Sequence, residues 1–360
     1  MRREVTVNLG ASRSYPIFLG EGILPGLGDE TRKRVTGGRV LVVTNPTVGS
    51  LWGREAERSL AEAGFAVYRA EIPDGEEYKT LDTAAHLYDR AFEAGLDRSC
   101  AVVALGGGVV GDVAGFTAAT YMRGVPLVQV PTTLMAQVDS SVGGKVAVNH
   151  PRGKNIIGAF YQPVLVLADV GTLRTLPGRE LRAGIAEVIK YGVISDAAFF
   201  GWLEENLERL LKGDPEALTY AVEMSCRIKA RVVEADETEQ GLRRVLNYGH
   251  TFGHALEALT GYRVYVHGEA VAVGMVAAAK LSVLLGLLDE ESYSRIEQLV
   301  RRAGLPADIP ADLSFEAALT CMERDKKAQD GRITFVLPEA VGRVGFYPDP
   351  PADMLRRLFS

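Results

Sequence analysis

The chain reads as an α/β N-terminal domain built on a parallel, Rossmann-like sheet, followed by a mainly α-helical C-terminal domain. Three observations predict this. Short apolar runs alternate with helical segments through the first half, the pattern of βαβ units. A glycine-rich turn follows the third of those runs and opens a helix. From about residue 178 onward the apolar residues recur with a helical period almost throughout. The domains are therefore expected at 1–177 and 178–360. No low-complexity linker separates them, so a packed cleft suited to a small ligand is expected at their junction.

Taken in order, Val40-Leu41-Val42-Val43-Thr44 is a buried strand, and Trp52 to Gly64 is a helix ended by glycine. Phe65 to Ala70 is a second strand, and Leu81 to Ala94 a helix followed by Gly95. Ala101 to Leu105 is a third strand, and Leu127 to Val130 a fourth, closed by Pro131. Parallel strands of this kind place ligands at their carboxyl ends. In the second half, Arg179–Tyr191, Pro215–Asp236, His250–Leu259 and Gly268–Leu285 read as helices. Arg332–Leu337 and Gly342–Tyr347 read as a closing pair of short strands.

A length of 360 residues with 24% charged and 47% hydrophobic residues suits a two-domain globular protein with a well-buried core. Disorder, collagen-like repeats and a disulfide scaffold are excluded. The net charge is −6 and no long basic run occurs, so nucleic acid and anionic membranes are not expected partners. Cys100, Cys226 and Cys321 lie far apart, with no metal or redox spacing, and suit a reducing cytoplasm. The opening MRREVTVNLG lacks the apolar core of a signal peptide. Charges or clustered glycines interrupt the most apolar stretches, Val264–Leu288 and Ala101–Ala119, so neither is expected to span a membrane.

Chemistry concentrates in two places. Gly106, Gly108 and Gly111 stand in a turn between strand and helix, where bare backbone and a helix N-terminus favour a phosphate. Ten glycines fall between Gly106 and Gly158, with Asp112, Arg123, Asp139, Lys145, Lys154 and Asn155 among them. Small backbone beside fixed positive charge suits a phosphorylated ligand. The carboxylates of Asp74-Gly75-Glu76-Glu77-Tyr78-Lys79 follow the second strand, where they suit a ribose diol. The second place is a histidine cluster. Of five histidines, His250, His254 and His267 fall within eighteen residues, while His86 and His150 have no evident role. His250 and His254 stand one turn apart on one helical face. Glu187 sits among apolar helical neighbours, where a lone carboxylate is costly unless paired or metal-bound, and Lys190 shares its face. One carboxylate with two histidines would leave the open position that catalytic zinc requires. Spacing alone leaves open which two of the three histidines ligate. Lys229, Arg243 and the Lys326-Lys327 pair could supply charge for an anionic substrate.

These residues occur in longer motifs: Gly106-Gly107-Gly108-Val109-Val110-Gly111-Asp112, Tyr121-Met122-Arg123-Gly124-Val125, the run from Pro131 to Lys145, and Leu246-Asn247-Tyr248-Gly249-His250-Thr251. With them the chain resembles the 3-dehydroquinate synthase family from Asp74 to about Leu337, most of its length. The resemblance implies a dehydroquinate synthase-like fold, with an NAD-binding domain over 1–177 and a metal- and substrate-binding domain over 178–360. It implies a carbon–oxygen lyase of the shikimate pathway, leading to chorismate and the aromatic amino acids. Such an enzyme converts 3-deoxy-D-arabino-heptulosonate 7-phosphate, a small sugar-acid phosphate, to 3-dehydroquinate and phosphate. It uses NAD for a transient oxidation, then eliminates phosphate, reduces again and closes an internal aldol. The implied metal is divalent, zinc or cobalt, held by Glu187, His250 and His267.

The resemblance further places NAD contacts on Asp74, Gly75, Glu76, Glu77, Tyr78 and Lys79, and on Gly108, Val109, Val110, Gly111 and Asp112. Thr132, Thr133, Lys145 and Lys154, with Thr172, Leu173, Arg174 and Thr175, complete that set. Catalytic and substrate contacts are implied at Arg123, Asp139, Lys145, Asn155, Lys190, Lys229, Arg243, Asn247 and His254, the last beside the substrate phosphate. One lysine of Lys326 and Lys327 is also implied. The family suggests a cytoplasmic homodimer in which Arg123 can enter the neighbouring subunit's site. The rival readings are another sugar-phosphate cyclase, against which the Lys229 and Arg243 pair favours a carboxylate-bearing substrate, and a metal-dependent polyol dehydrogenase, which would release NADH.

Overall fold

A computed structural model describes the backbone of residues 2–326 and 332–359, and the side chains of all of these except 324–326. In chain order the elements begin with β1 (Arg3–Val7), β2 (Tyr15–Gly20), α1 (Leu27–Arg32), β3 (Arg39–Thr44), α2 (Arg54–Glu62) and β4 (Ala66–Glu71). There follow α3 (Leu81–Glu93), β5 (Ala101–Gly106), α4 (Gly108–Thr120), β6 (Leu127–Pro131), β7 (Lys145–His150), β8 (Gly153–Phe160) and β9 (Leu165–Asp169). The helical half holds α5 (Gly178–Ser195), α6 (Ala197–Leu211), α7 (Pro215–Ala235), α8 (His250–Leu259), α9 (His267–Leu284), α10 (Glu290–Arg302) and α11 (Phe315–Lys326). The hairpin strands β10 (Thr334–Ala340) and β11 (Arg343–Pro348) follow, and a short helix, Ala352–Arg356, comes after them.

The chain forms two compact units. The first, 1–176 with 215–238, is built on a seven-stranded sheet of order β1-β2-β9-β6-β5-β3-β4. Only the β1–β2 pair is antiparallel; the others run parallel. Alternation along β3 shows why both faces are covered. Val40 and Val42 point into one core with Leu27, Ala56 and Leu60, while Leu41 and Val43 point into the other with Leu87, Ala91 and Val113. Each such fully buried Val or Leu side chain contributes about 1.5–3 kcal/mol. The four strands expected from the sequence are β3, β4, β5 and β6. β1, β2 and β9, and the β7–β8 hairpin, extend the unit beyond that expectation.

The second unit, 177–214 with 239–360, packs α5, α6, α8, α9, α10 and α11 with the β10–β11 hairpin. The chain therefore crosses between units more often than a single boundary at 177/178 allows. The segment 215–238 was expected in the helical domain, yet α7 packs on β1 and β2. Its inner face, with Ala221, Val222, Cys226 and Val233 buried, finds its apolar partners there. Ion pairs seal the contact, from Arg3 to Glu223 and from Arg13 to Glu237. A helical period says that a face must be buried but not against what. Among the described residues, α9 is the helix long and apolar enough to cross a membrane, and 72% of it is buried.

Candidate active site

In the first unit the glycine-rich turn closes β5 and opens α4, with Gly107 at the N-cap in extended conformation. The backbone there is crowded from within: a β-carbon at Gly106 would stand 2.7 Å from the Val110 side chain, and one at Gly111 3.0 Å from Gln129 Oε1. Thr132, at the end of β6, is buried with its hydroxyl oxygen unbonded, whereas Thr133 Oγ1 accepts from the Ala136 N–H at 3.1 Å. Residues 74–78 form an exposed loop in which Gly75 adopts φ +127. There Asp74 accepts from Thr47 Oγ1, and Glu76 from Asn149 Nδ2.

Lys79 ends this loop and, unlike its neighbours, is buried. Its ammonium donates to both Asp112 Oδ2, in the first turns of α4, and Asn155 Oδ1, in β8. Three residues expected at the cofactor and substrate thus meet at one nitrogen. Burial pushes the Asp112 carboxyl above its ordinary range, against the opposing pull of Lys79. Asn155 holds φ +57, a left-handed conformation that Asn tolerates better than most residues.

Asp139 lies in a π-helical turn, Ala136–Ser140, and pairs with Lys229 of α7. Lys229 Nζ donates to Asp139 Oδ1 at 2.5 Å and to its carbonyl at 2.7 Å. Gln137, fully buried in the same turn, donates to the Pro131 carbonyl, the Asp169 carbonyl and Thr172 Oγ1. It ties the ends of β6 and β9 to the segment carrying Thr172 and Leu173, a positioning role the sequence reading missed. Arg174 is exposed and ion-paired with Glu21, and Thr175 Oγ1 donates to the Thr172 carbonyl at 3.1 Å. Lys145 and Arg123 are exposed and Lys154 half-buried. Arg123 adopts φ +68, next to Met122 at φ +50.

In the second unit, α5 carries Glu187 and Lys190 with side chains 0% and 1% exposed. His250 opens α8 and His267 opens α9. Close helix contacts bring the two helix starts onto the middle of α5. A β-carbon at Gly268 would stand 2.0 Å from the Ala183 carbonyl oxygen of α5, and one at Gly274 1.9 Å from the Gly249 carbonyl oxygen. Only glycine permits backbones to approach this closely. As a result Nε2 of His250 and Nε2 of His267 each lie 3.8 Å from Glu187 Oε1. Glu187 Oε2 is ion-paired with Lys190 Nζ, but Oε1 is buried and meets no hydrogen-bond donor.

An unbonded carboxylate oxygen in an apolar helix core is strongly unfavourable unless a cation joins it. The donor set of one carboxylate oxygen and two imidazole nitrogens, all within 4.8 Å of one another, is that of a catalytic zinc-class site. Ligand atoms on a tetrahedral ion of this class stand about 3.4 Å apart, so little contraction is needed from 3.8 Å. Burial, and then the positive Lys190, push the His250 imidazole well below its ordinary range, leaving a free lone pair. For His267 burial acts the same way, but the Glu257 hydrogen bond and the Glu187 charge outweigh it and raise the group.

His254 is exposed, its ring 5.4 Å from that of His250 and 6.2 Å from that of His267. It can also share a ligand group with Glu257 and His267, but the set of Glu187, His250 and His267 contains no exposed residue. Arg243 is buried at 1% exposure, and Asn247 Nδ2 reaches Glu239 Oε1 at 3.5 Å. Glu269, two residues beyond His267, pairs bidentately with Arg179 and accepts from the Val266 N–H at the start of α9. Lys327 and the side chain of Lys326 lie outside the described residues. The sequence reading also missed Glu257, which lies behind His267. Its signal was its place on the α8 face of His250 and His254, seven and three residues on.

A family model described as 3-dehydroquinate synthase N-terminal matches residues 69–183, and one described as 3-dehydroquinate synthase C-terminal matches residues 184–328. The 3-dehydroquinate synthase of Pelotomaculum thermopropionicum is 66% identical over 339 residues, covering 94% of this chain and 91% of that protein. Two solved structures superpose at a TM-score of 0.89. One is 2-epi-5-epi-valiolone synthase from Streptomyces hygroscopicus subsp. jinggangensis with NAD+ and Zn2+ bound, 28% identical and covering 98% of this chain and 97% of that one. The other is 2-deoxy-scyllo-inosose synthase complexed with carbaglucose-6-phosphate, NAD+ and Co2+, 29% identical over 100% and 99% of the two chains.

Proposed function

The chain belongs to the 3-dehydroquinate synthase family, and from that premise we propose that it converts 3-deoxy-D-arabino-heptulosonate 7-phosphate to 3-dehydroquinate and inorganic phosphate. The observation that carries the reading is Glu187 Oε1, buried, without a donor and equidistant from two imidazole nitrogens. Glu187, His250 and His267 would hold zinc or cobalt, and the 74–79 loop, the 108–112 turn, Thr132, Thr133, Lys154 and the 172–175 segment would hold NAD. When bound, the metal supplies Lewis acidity at the substrate hydroxyls, and NAD takes up and returns the hydride.

The chain's own residues then position and neutralise charge. Lys190 neutralises one oxygen of Glu187 and leaves the other to the metal. Lys145, Asn155, Arg123 and His254 would hold the departing phosphate. For Asn155, the Lys79 ammonium occupies the amide oxygen, so the NH2 group is the end left to donate to a phosphate oxygen. Lys229 and Arg243 would grip the substrate carboxylate, with Asp139 fixing the Lys229 ammonium. We place the enzyme in the cytoplasm as a homodimer with Arg123 entering the partner's site, a reading supported by the family resemblance and by three cysteines with no disulfide among them.

The test is phosphate release from the heptulosonate phosphate in the presence of NAD and Co2+. The expected result is turnover with no net NADH, abolished by a chelator and restored by added metal. NADH accumulating with a simple polyol, and no phosphate release, would overturn the proposal. Turnover only of a sugar phosphate lacking a carboxylate would reassign the substrate within the same superfamily.

A further inference from the structure

His267 stands between two carboxylates. Its Nε2 faces Glu187 Oε1 at 3.8 Å, and its Nδ1 lies 3.3 Å from Glu257 Oε2. Glu257 comes from α8, the helix that also begins with His250, and its side chain is 7% exposed. An ionised carboxylate only accepts hydrogen bonds, so this contact calls for a proton on His267 Nδ1, the tautomer that leaves Nε2 to a metal. His250 is held in the same sense by a different device: its Nδ1 lies 3.1 Å from the Tyr248 carbonyl oxygen. Both imidazoles thus turn Nε2 toward Glu187, one fixed by backbone and the other by a charged side chain.

We propose that Glu257 is a positioning residue for the metal site: it fixes the tautomer and ring orientation of His267 and strengthens that imidazole as a ligand. The inference rests on the reading of Glu187, His250 and His267 as the metal site. An outer carboxylate behind a ligating imidazole typically contributes 10- to 100-fold in metal affinity. The packing explains why α8 can reach behind a residue of α9. A β-carbon at Gly253 would stand 3.1 Å from the Ala270 carbonyl oxygen, so the two helices meet there with almost no side chain between them.

The experiment is Co2+ titration of the apoprotein by chelator competition, read through the visible absorption of the bound ion, with no substrate present. Wild type, E257A, E257Q and E187Q are compared, and thermal unfolding of each apoprotein reports folding. Stoichiometric binding is expected for wild type. E257A is expected to bind about 10- to 100-fold more weakly with a shifted visible spectrum. E257Q, which keeps an acceptor oxygen, is expected to recover most of that loss. E187Q is expected to lose binding altogether. Should E257A fail to fold, E257L, which fills the space without an acceptor, takes its place. E257A binding Co2+ like wild type would overturn the proposal while leaving the metal reading intact. E257Q losing the ion as fully as E187Q would overturn it too, making Glu257 a ligand in its own right. No binding by wild type would overturn both readings.

Discussion

Lys190 Nζ is ion-paired with Glu187 Oε2 one turn away along α5, and neither side chain is more than 1% exposed. The pair divides the carboxylate between two tasks. One oxygen satisfies the lysine, and the other faces two imidazoles with no donor of its own. A buried pair contributes little net stability, since desolvation offsets the attraction, so its value here lies in orientation.

His250→Ala is therefore expected to lower affinity for Zn2+ or Co2+ by at least about 100-fold and to abolish turnover. His254→Ala is expected to keep its metal and lose turnover through the phosphate side. Metal analysis beside phosphate release separates the two. Metal loss in the His254 variant, with normal content in the His250 variant, would show that the wrong histidine pair had been assigned.

Lys79→Met removes the cation that Asp112 and Asn155 share. Asp112 is partly buried and would be left without that cation, so a clear drop in thermal stability is expected. Burial already pushes the Asp112 carboxyl up, and loss of the Lys79 cation removes the pull that opposes it. NAD affinity, measured by fluorescence titration, is expected to fall about tenfold, which is about 1.4 kcal/mol. Unchanged NAD binding would remove Lys79 and Asp112 from the cofactor site.

Gly274→Ala places a β-carbon 1.9 Å from the Gly249 carbonyl oxygen and must push α8 and α9 apart. The expected cost is about 3 kcal/mol or more, together with weakened metal binding as His250 and His267 separate. Gly201→Ala on α6 is the control, since nothing lies within 4 Å of its new atom. It should stabilise the helix by about 0.5–1 kcal/mol. Unfolding in urea reads both changes.

Glu30 on α1 gathers Arg2, Lys33 and Arg34. Burial alone would raise its carboxyl, but these three partners overcome that and hold it at about 2 instead of 4.5. A group depressed on folding contributes stability that is fully present above its unfolded value and is lost as pH falls through its folded value. The contribution of Glu30 should therefore be intact above pH 4.5 and fade toward about pH 2. Urea unfolding of wild type and Glu30→Gln from pH 7 to 3 should show a gap of about 2 kcal/mol that narrows with acid. A gap that widens on acidification would contradict the sign.

Much of this molecule is legible from local pattern. The apolar runs of β3, β4, β5 and β6 and the helical periods of α5, α7, α8 and α9 appear where the residues predict them, because burial of one face or both is written into residue order. Glu187, His250 and His267 stand out for the same local reason, as ligand types in apolar or glycine-rich surroundings. Partnership is not local. The α7 face fits the β1–β2 edge of the first unit, Lys229 finds Asp139 ninety residues away, and Glu257 reaches a histidine on another helix. Spacing left three histidines equivalent. Backbone contact at Gly268 and Gly274, which sets how closely three helices approach, turns two imidazoles onto one carboxylate oxygen and leaves His254 at the surface. Periodicity declares that a face must be buried and a charge paired, while only packing in three dimensions chooses the partner, since that choice depends on distances between segments remote in the chain.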